Sequence, residues 1–284
     1  MAEFMILVSQ WALPVFIFAT IANVGLTQDP LKFLSYRREW RFMIKMVLAN
    51  FVGAPLMMYL LLQVWPLEPA MMAGLAVFSL CAGAPFLIKL VATSEHDMAL
   101  GAVTLIVLVL ATIAIVPLVL PVLLPSVEVD AGAMAWTLAR QLLLPLVVGG
   151  AFAHFAPGLA RTVQPWVARI GNIALYVVIG GTILGYLPSM MPIVRSGALA
   201  IGLVFIVAAF GIGYLAGRGK DHLEDVGALA TAQRNTAAAM IIAVNSFEDP
   251  QVFVLVTLVN TLGIVILLAI ARRLKLDNVE VRPM

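Results

Sequence analysis

Charge is the scarcest commodity in this sequence. Only 11% of the 284 residues are charged, against 63% hydrophobic, and the mean hydropathy is +1.06. Soluble domains carry roughly 25% charged residues, so the chain lacks the polar groups needed to cover a water-facing surface. That shortage excludes a soluble globular protein, and with no basic patch it also excludes nucleic acid as a partner. Cysteine is nearly absent: Cys81 stands alone, so neither a disulfide framework nor a cysteine zinc cluster forms within one chain. Acid is missing from the apolar runs. All fifteen Asp and Glu residues fall between the runs or at their ends. An intramembrane acid dyad is thereby excluded. With His96, His154 and His222 also at run ends or in loops, no enzyme site, metal site or cofactor is expected.

What is present is long apolar runs. A spanning helix needs about 20 apolar residues, and polar interruptions divide the chain into nine: 4–25, 42–64, 69–92, 97–124, 132–154, 167–187, 193–218, 224–246 and 250–271. The first has only Glu3 before it and no small-residue cleavage site after it, so it reads as a span and not a signal peptide. The period-two alternation of a membrane barrel is absent. The expected fold is therefore an all-α polytopic membrane protein, a single domain over 1–284.

Lys and Arg set the orientation. Twelve lie in the segments 26–41, 155–169, 218–223 and the C-terminal tail, and the opposite side has only Arg195. The positive-inside rule then puts the C-terminus in the cytoplasm and the N-terminus outside, as nine spans require. Of the four remaining cations, Lys45 snorkels to the headgroups. Arg140 either snorkels or meets a polar cavity.

Arg234, in "ALATAQRNTAAAM" (228–240), is about ten residues from each end of its run, near the midplane. Burying it there costs at least ~2.5 kcal/mol. Two readings satisfy it. Backbone carbonyls and the amides of Gln233 and Asn235 form a private shell, or an anionic ligand supplies the missing partner; the second is the sharper expectation. Lys89 lies in "CAGAPFLIKLVA" (81–92), where Gly83 and Pro85 interrupt the third run. Proline removes a donor and clashes with the preceding turn, so a break is expected near 83–85, with the new half-helix offering free N–H groups. Lys89 either snorkels or lines that site. Asn260 and Thr261 are polar in an apolar helix, either bonding between helices or touching ligand.

Spans 1–4 and 6–9 make inverted repeats about the fifth, which pairs the interrupted third span with the eighth. Both interruptions are followed by an acidic turn, "SEHD" at 94–97 and "SFED" at 246–249. These residues resemble the bile acid:sodium symporter family. One family segment reads C-P-G-G-x-x-S-N and then D-x-A-L, beside Cys81-Ala82-Gly83-Ala84-Pro85 and Asp97-Met98-Ala99-Leu100 here. The other reads E-x-G-x-Q-N, and Asn235 matches its asparagine. "LANFVGAP" (48–55) and "VNTLGIVILLA" (259–269) resemble two further helices.

The resemblance covers nearly the whole chain, with the usual first helix of ten missing. It implies a panel domain and a core domain in which two broken helices cross, in a divergent, bacterial-type member of the inner membrane. The positions of the family's sodium ligands hold Leu87, Ile88, Ala230 and Arg234; only Asn50 keeps an amide. The expected function is thus secondary transport of a small organic anion, probed by Arg234, Lys89, Asn50, Gln233, Asn235, Asn260 and Thr261, with Arg234 and Lys89 as fixed cations and no bound metal. An anion channel and a classical sodium-coupled symporter are the alternatives. The partners expected are the anion and the lipid bilayer.

Overall fold

The computed structural model describes residues 1–27, 36–124, 130–219 and 223–280. Lys32, Lys220 and Arg282 of the charge count lie outside them. Among the described residues there is helix and no strand. Seven helices are long and apolar enough to cross a membrane. They are α1 (Ala2–Thr27), α2 (Trp40–Val64), α5 (Met98–Leu123), α6 (Ala131–Phe155), α7 (Pro157–Gly185), α9 (Ala198–Gly217) and α12 (Pro250–Glu280), the last apolar over Pro250–Lys275. The two other runs are each split. The third becomes α3 (Pro69–Leu80) and α4 (Leu87–Thr93), and the eighth becomes α10 (Leu223–Ala232) and α11 (Thr236–Ser246).

Two stretches read as loop differ. Residues 157–166 are the first turns of α7, started by Pro157 in the position where its missing N–H costs nothing. The interval 188–192, between the sixth and seventh runs, lies within the short α8 (Leu187–Arg195), with Pro188 in its first turn and Ile193 buried.

Local sequence explains the ends. Asp97 caps α5 by accepting from the N–H groups of Ala99 and Leu100 at 2.9 and 3.1 Å. Asp130 does the same for α6 through Gly132 and Ala133 at 2.8 and 3.0 Å. Within α2 and α6 the backbone widens into a π turn, at Ala49–Gly53 and Ala139–Leu143. Each is followed two residues on by proline, Pro55 and Pro145, whose ring and absent N–H disrupt the normal ladder.

The helices form two groups. α1 packs along α7 and α6, and glycines let the backbones meet: Gly149 sits where a Cβ would come within 2.3 Å of the Ala22 carbonyl oxygen. The second group holds α2, α3, α5, α9 and α12, with the broken segments inside it. Residues 81–86 leave the helix completely. Thr112 of α5 repairs the loss at Ala82, accepting from its N–H at 3.1 Å and donating to its carbonyl at 2.9 Å. The first-turn N–H groups of α4 are not free, contrary to expectation. Those of Leu87, Ile88, Lys89 and Leu90 turn back onto the carbonyls of 84–86, because the chain coils tightly through Pro85 before the helix starts.

Gly83 makes this coil possible. Its φ is +76°, and a Cβ would lie 2.5 Å from the Val109 nitrogen. A left-handed residue costs about 1–2 kcal/mol, and overpacking commonly adds ~1–3 kcal/mol. Gly83→Ala should therefore lower the melting temperature of the detergent-purified protein clearly, whereas Gly180→Ala, with open space around it, should not.

Candidate functional site

The two breaks meet. The Asn235 backbone N–H donates to the Cys81 carbonyl at 2.9 Å, and its side-chain amide donates to the Gly83 carbonyl at 2.9 Å. The Asn235 oxygen turns the other way and caps α11 through the Ala238 N–H at 3.1 Å. One residue thus ties both interruptions together and starts the second half-helix.

Arg234 enters this junction 1% exposed, with Phe205 covering it at 6.0 Å. Its guanidinium has five N–H bonds and makes five hydrogen bonds. Nε donates to the Phe78 carbonyl at 3.4 Å. Nη1 donates to Asn50 Oδ1 at 2.6 Å and to the Thr231 carbonyl at 3.0 Å. Nη2 donates to the Asn50 carbonyl at 3.3 Å and to the Ser79 carbonyl. Phe78 and Ser79 end α3, and Thr231 is in the last turn of α10. Helix ends carry orphan carbonyls and a partial negative charge. Two half-helices therefore point their negative ends at one cation, and the π turn at Asn50 adds two more oxygens. Asn50 is itself held by donating to the Met46 carbonyl at 2.9 Å and to Thr231 Oγ1 at 3.1 Å.

Beside the junction lies a cavity of about 490 Å³. One wall comes from α1 and α7, with Thr20, Asn23, Gln164 and Asn172 among its residues; the other holds Lys89, Gln233, Arg234, Thr236 and Asn260. Among the described residues, no Asp or Glu lines it. It runs from the breaks towards the end of the bundle where α1 stops and α5 begins, reaching Thr27 and Met98. Lys89 is exposed there, its Nζ 5.4 Å from the Phe86 ring.

Of the seven side chains read as substrate-binding, Arg234, Lys89, Gln233 and Asn260 line the cavity; Asn50, Asn235 and Thr261 do not. Asn50 and Asn235 are fully buried and spend their amides on the junction. Thr261 donates to the Thr257 carbonyl of its own helix at 2.7 Å. Pro85 lines the cavity, and Gly83 shapes the break behind it. The α1–α7 wall was missed, although Thr20, Asn23 and Thr27 recur at helical spacing, as do Gln164, Ala168 and Asn172.

Two broken helices are thus joined at their breaks, with a buried cation held by their ends. The sequence matches the Sodium Bile acid symporter family over residues 14–216. The chain belongs to this family. It is a transporter family, and the apolar helices agree with an integral membrane protein. The matched stretch includes the first break and stops before Arg234. No curated protein matches the chain significantly.

Removing the guanidinium would strand five acceptor contacts out of reach of water. Each uncompensated buried polar group costs roughly 1–3 kcal/mol. Arg234→Ala should consequently destabilise the whole protein, and Arg234→Lys should rescue it only partly, since an ammonium cannot reproduce the planar fork. Lys89→Gln should leave the melting temperature near that of the parent. Thermal unfolding of the three variants in one detergent checks the contrast.

Proposed function

We propose that this protein is a secondary transporter of a small or amphipathic organic anion, operating without sodium, and that Arg234 stands in for the bound cation. The observation behind this reading is the oxygen shell of Arg234. Carbonyls at half-helix ends coordinate sodium in transporters with broken helices, the family resemblance adds an amide ligand at the position of Asn50, and here these groups surround a guanidinium. The positions that the family resemblance gives to sodium ligands hold Leu87, Ile88, Ala230 and Arg234, three without a side-chain oxygen and one a cation.

The direct anion contact falls to Lys89, supported by the charge of Arg234, which is part of the same wall but 1% exposed. Arg234 has no hydrogen bond to spare, yet among the described residues its charge is matched by no carboxylate at the cavity. The N-terminal end of α11 reaches the same wall through Thr236 and Ala237, and a helix N-terminus favours negative charge. The apolar lining suits the body of an amphipathic ligand, and about 490 Å³ falls in the range of drug-sized sites.

Alternating access would follow from the division into two walls, the α1, α6 and α7 group as panel and the remainder as core, with each wall drawing on both inverted repeats, spans 1–4 and 6–9, across nine crossings. The cavity mouth lies on the side that carries most Lys and Arg, so by the positive-inside rule this is the cytoplasmic-facing form, in a protein whose C-terminus is cytoplasmic and N-terminus external. Protease accessibility of tagged termini in sealed inner-membrane vesicles should find the two tails on opposite faces. Both tails on one face would defeat the topology.

The functional test is uptake into proteoliposomes from a panel of carboxylates and sulfonates. Uptake should saturate and should not change when sodium is replaced by potassium or choline at constant ionic strength, which holds screening fixed. Lys89→Gln should weaken binding of the anion about tenfold or more and leave a neutral analogue unaffected. A saturable sodium requirement, or equal binding of acid and neutral analogue to the parent, would overturn the reading. A flux that never saturates would point to a channel.

A further inference from the structure

The cavity wall behind Lys89 holds a pair of amides whose hydrogen bonding is incomplete. Gln233 is 3% exposed and Asn260 is 5% exposed. Gln233 Nε2 donates to Asn260 Oδ1 at 3.3 Å and to the Arg234 carbonyl at 3.4 Å. Both distances lie beyond the usual 2.7–3.2 Å range, so the amide is loosely held. Among the described residues, Gln233 Oε1 has no hydrogen-bond partner. No hydrogen bond is made by Asn260 Nδ2 among them either, and that nitrogen is not sealed from the cavity as Oε1 is. The Arg234 carbonyl fixes the sense of the Gln233 amide, since turning it over would set oxygen against oxygen.

An unpaired buried acceptor is costly, and here it sits beside an unpaired donor on a wall that faces ligand. A group that accepts from Asn260 Nδ2 while donating to Gln233 Oε1 completes both. A hydroxyl does this, and so does a secondary amide; a methylene does neither. The long bonds of Nε2 let the Gln233 side chain swing outward to bring Oε1 into reach.

We propose that Gln233 and Asn260 form a specificity site that selects anions bearing a hydroxyl or amide N–H over their unsubstituted counterparts. The inference rests on the anion-transport reading: Lys89 takes the acid group, and the amide pair reads the rest of the molecule. Sites built to bond a hydroxyl reject analogues without it far more strongly than apolar pockets reject an extra methylene.

The experiment measures binding to the purified full chain, by calorimetry, of three matched pairs: 3-hydroxybutyrate and butyrate, mandelate and phenylacetate, cholate and cholanate. In at least one pair the hydroxylated acid should bind about tenfold or more tightly. In Gln233→Met, a near-isosteric apolar change, its affinity should fall to that of the plain acid. Asn260→Leu asks the same question from the other half of the pair, in case one variant fails to fold. If the parent binds both members of every pair alike, with Lys89→Gln weakening both, the specificity site is wrong and anion transport stands. If the preference survives in a folded variant of either residue, the pair does not carry it. If none of the six acids binds, the anion reading fails, and this inference with it.

Discussion

A cation at membrane depth must carry its own solvent, and most of this architecture follows from how Arg234 obtains it. Helices in lipid consume their carbonyls internally, so a continuous span has none to offer. Breaking α3 from α4 and α10 from α11 frees the carbonyls of Phe78, Ser79 and Thr231, and the π turn at Ala49–Gly53 brings Asn50 alongside. The breaks solvate the arginine, and the arginine satisfies the breaks. Neither survives alone in hydrocarbon. The remaining loose ends are closed by Asn235 and Thr112, each of which bonds backbone across elements distant in sequence.

This mutual arrangement also divides labour among the polar residues. Those that hold the junction are buried and fully engaged: Asn50, Asn235 and Arg234. Those on the cavity side keep unspent groups: Lys89, exposed, and Gln233 and Asn260, with an acceptor and a donor to give. Arg234 and Gln233 are neighbours in the chain yet fall on opposite sides of this line, because residues 233–235 are not helical and turn sharply across the break.

Much of the fold could be read from run lengths, since a spanning segment is set by bilayer thickness. The first break was legible in Gly83 and Pro85. The second has neither residue, and only the polar cluster around Arg234 marked it. What the sequence could not reveal is direction. Asn50 is polar in an apolar helix whether it faces ligand or arginine, and it faces arginine. Thr20, Asn23, Gln164 and Asn172 each passed as single polar residues, because their shared cavity exists only once α1 and α7 pack together. The shell of Arg234 leaves no mark in the sequence, because carbonyls belong to every residue whatever its side chain.

A covalently held cation differs from a bound one in a way that reaches past structure. It has no concentration on either side of the membrane, so it cannot lend a gradient to anything that moves. It also pays no entropy of capture in each cycle, because that entropy was spent once, at folding. A carrier whose cation is part of the chain takes its direction from the electrochemical gradient of its cargo and of any other species that accompanies it. On the proposed reading, a cargo that moves alone equilibrates where a sodium-driven relative accumulates.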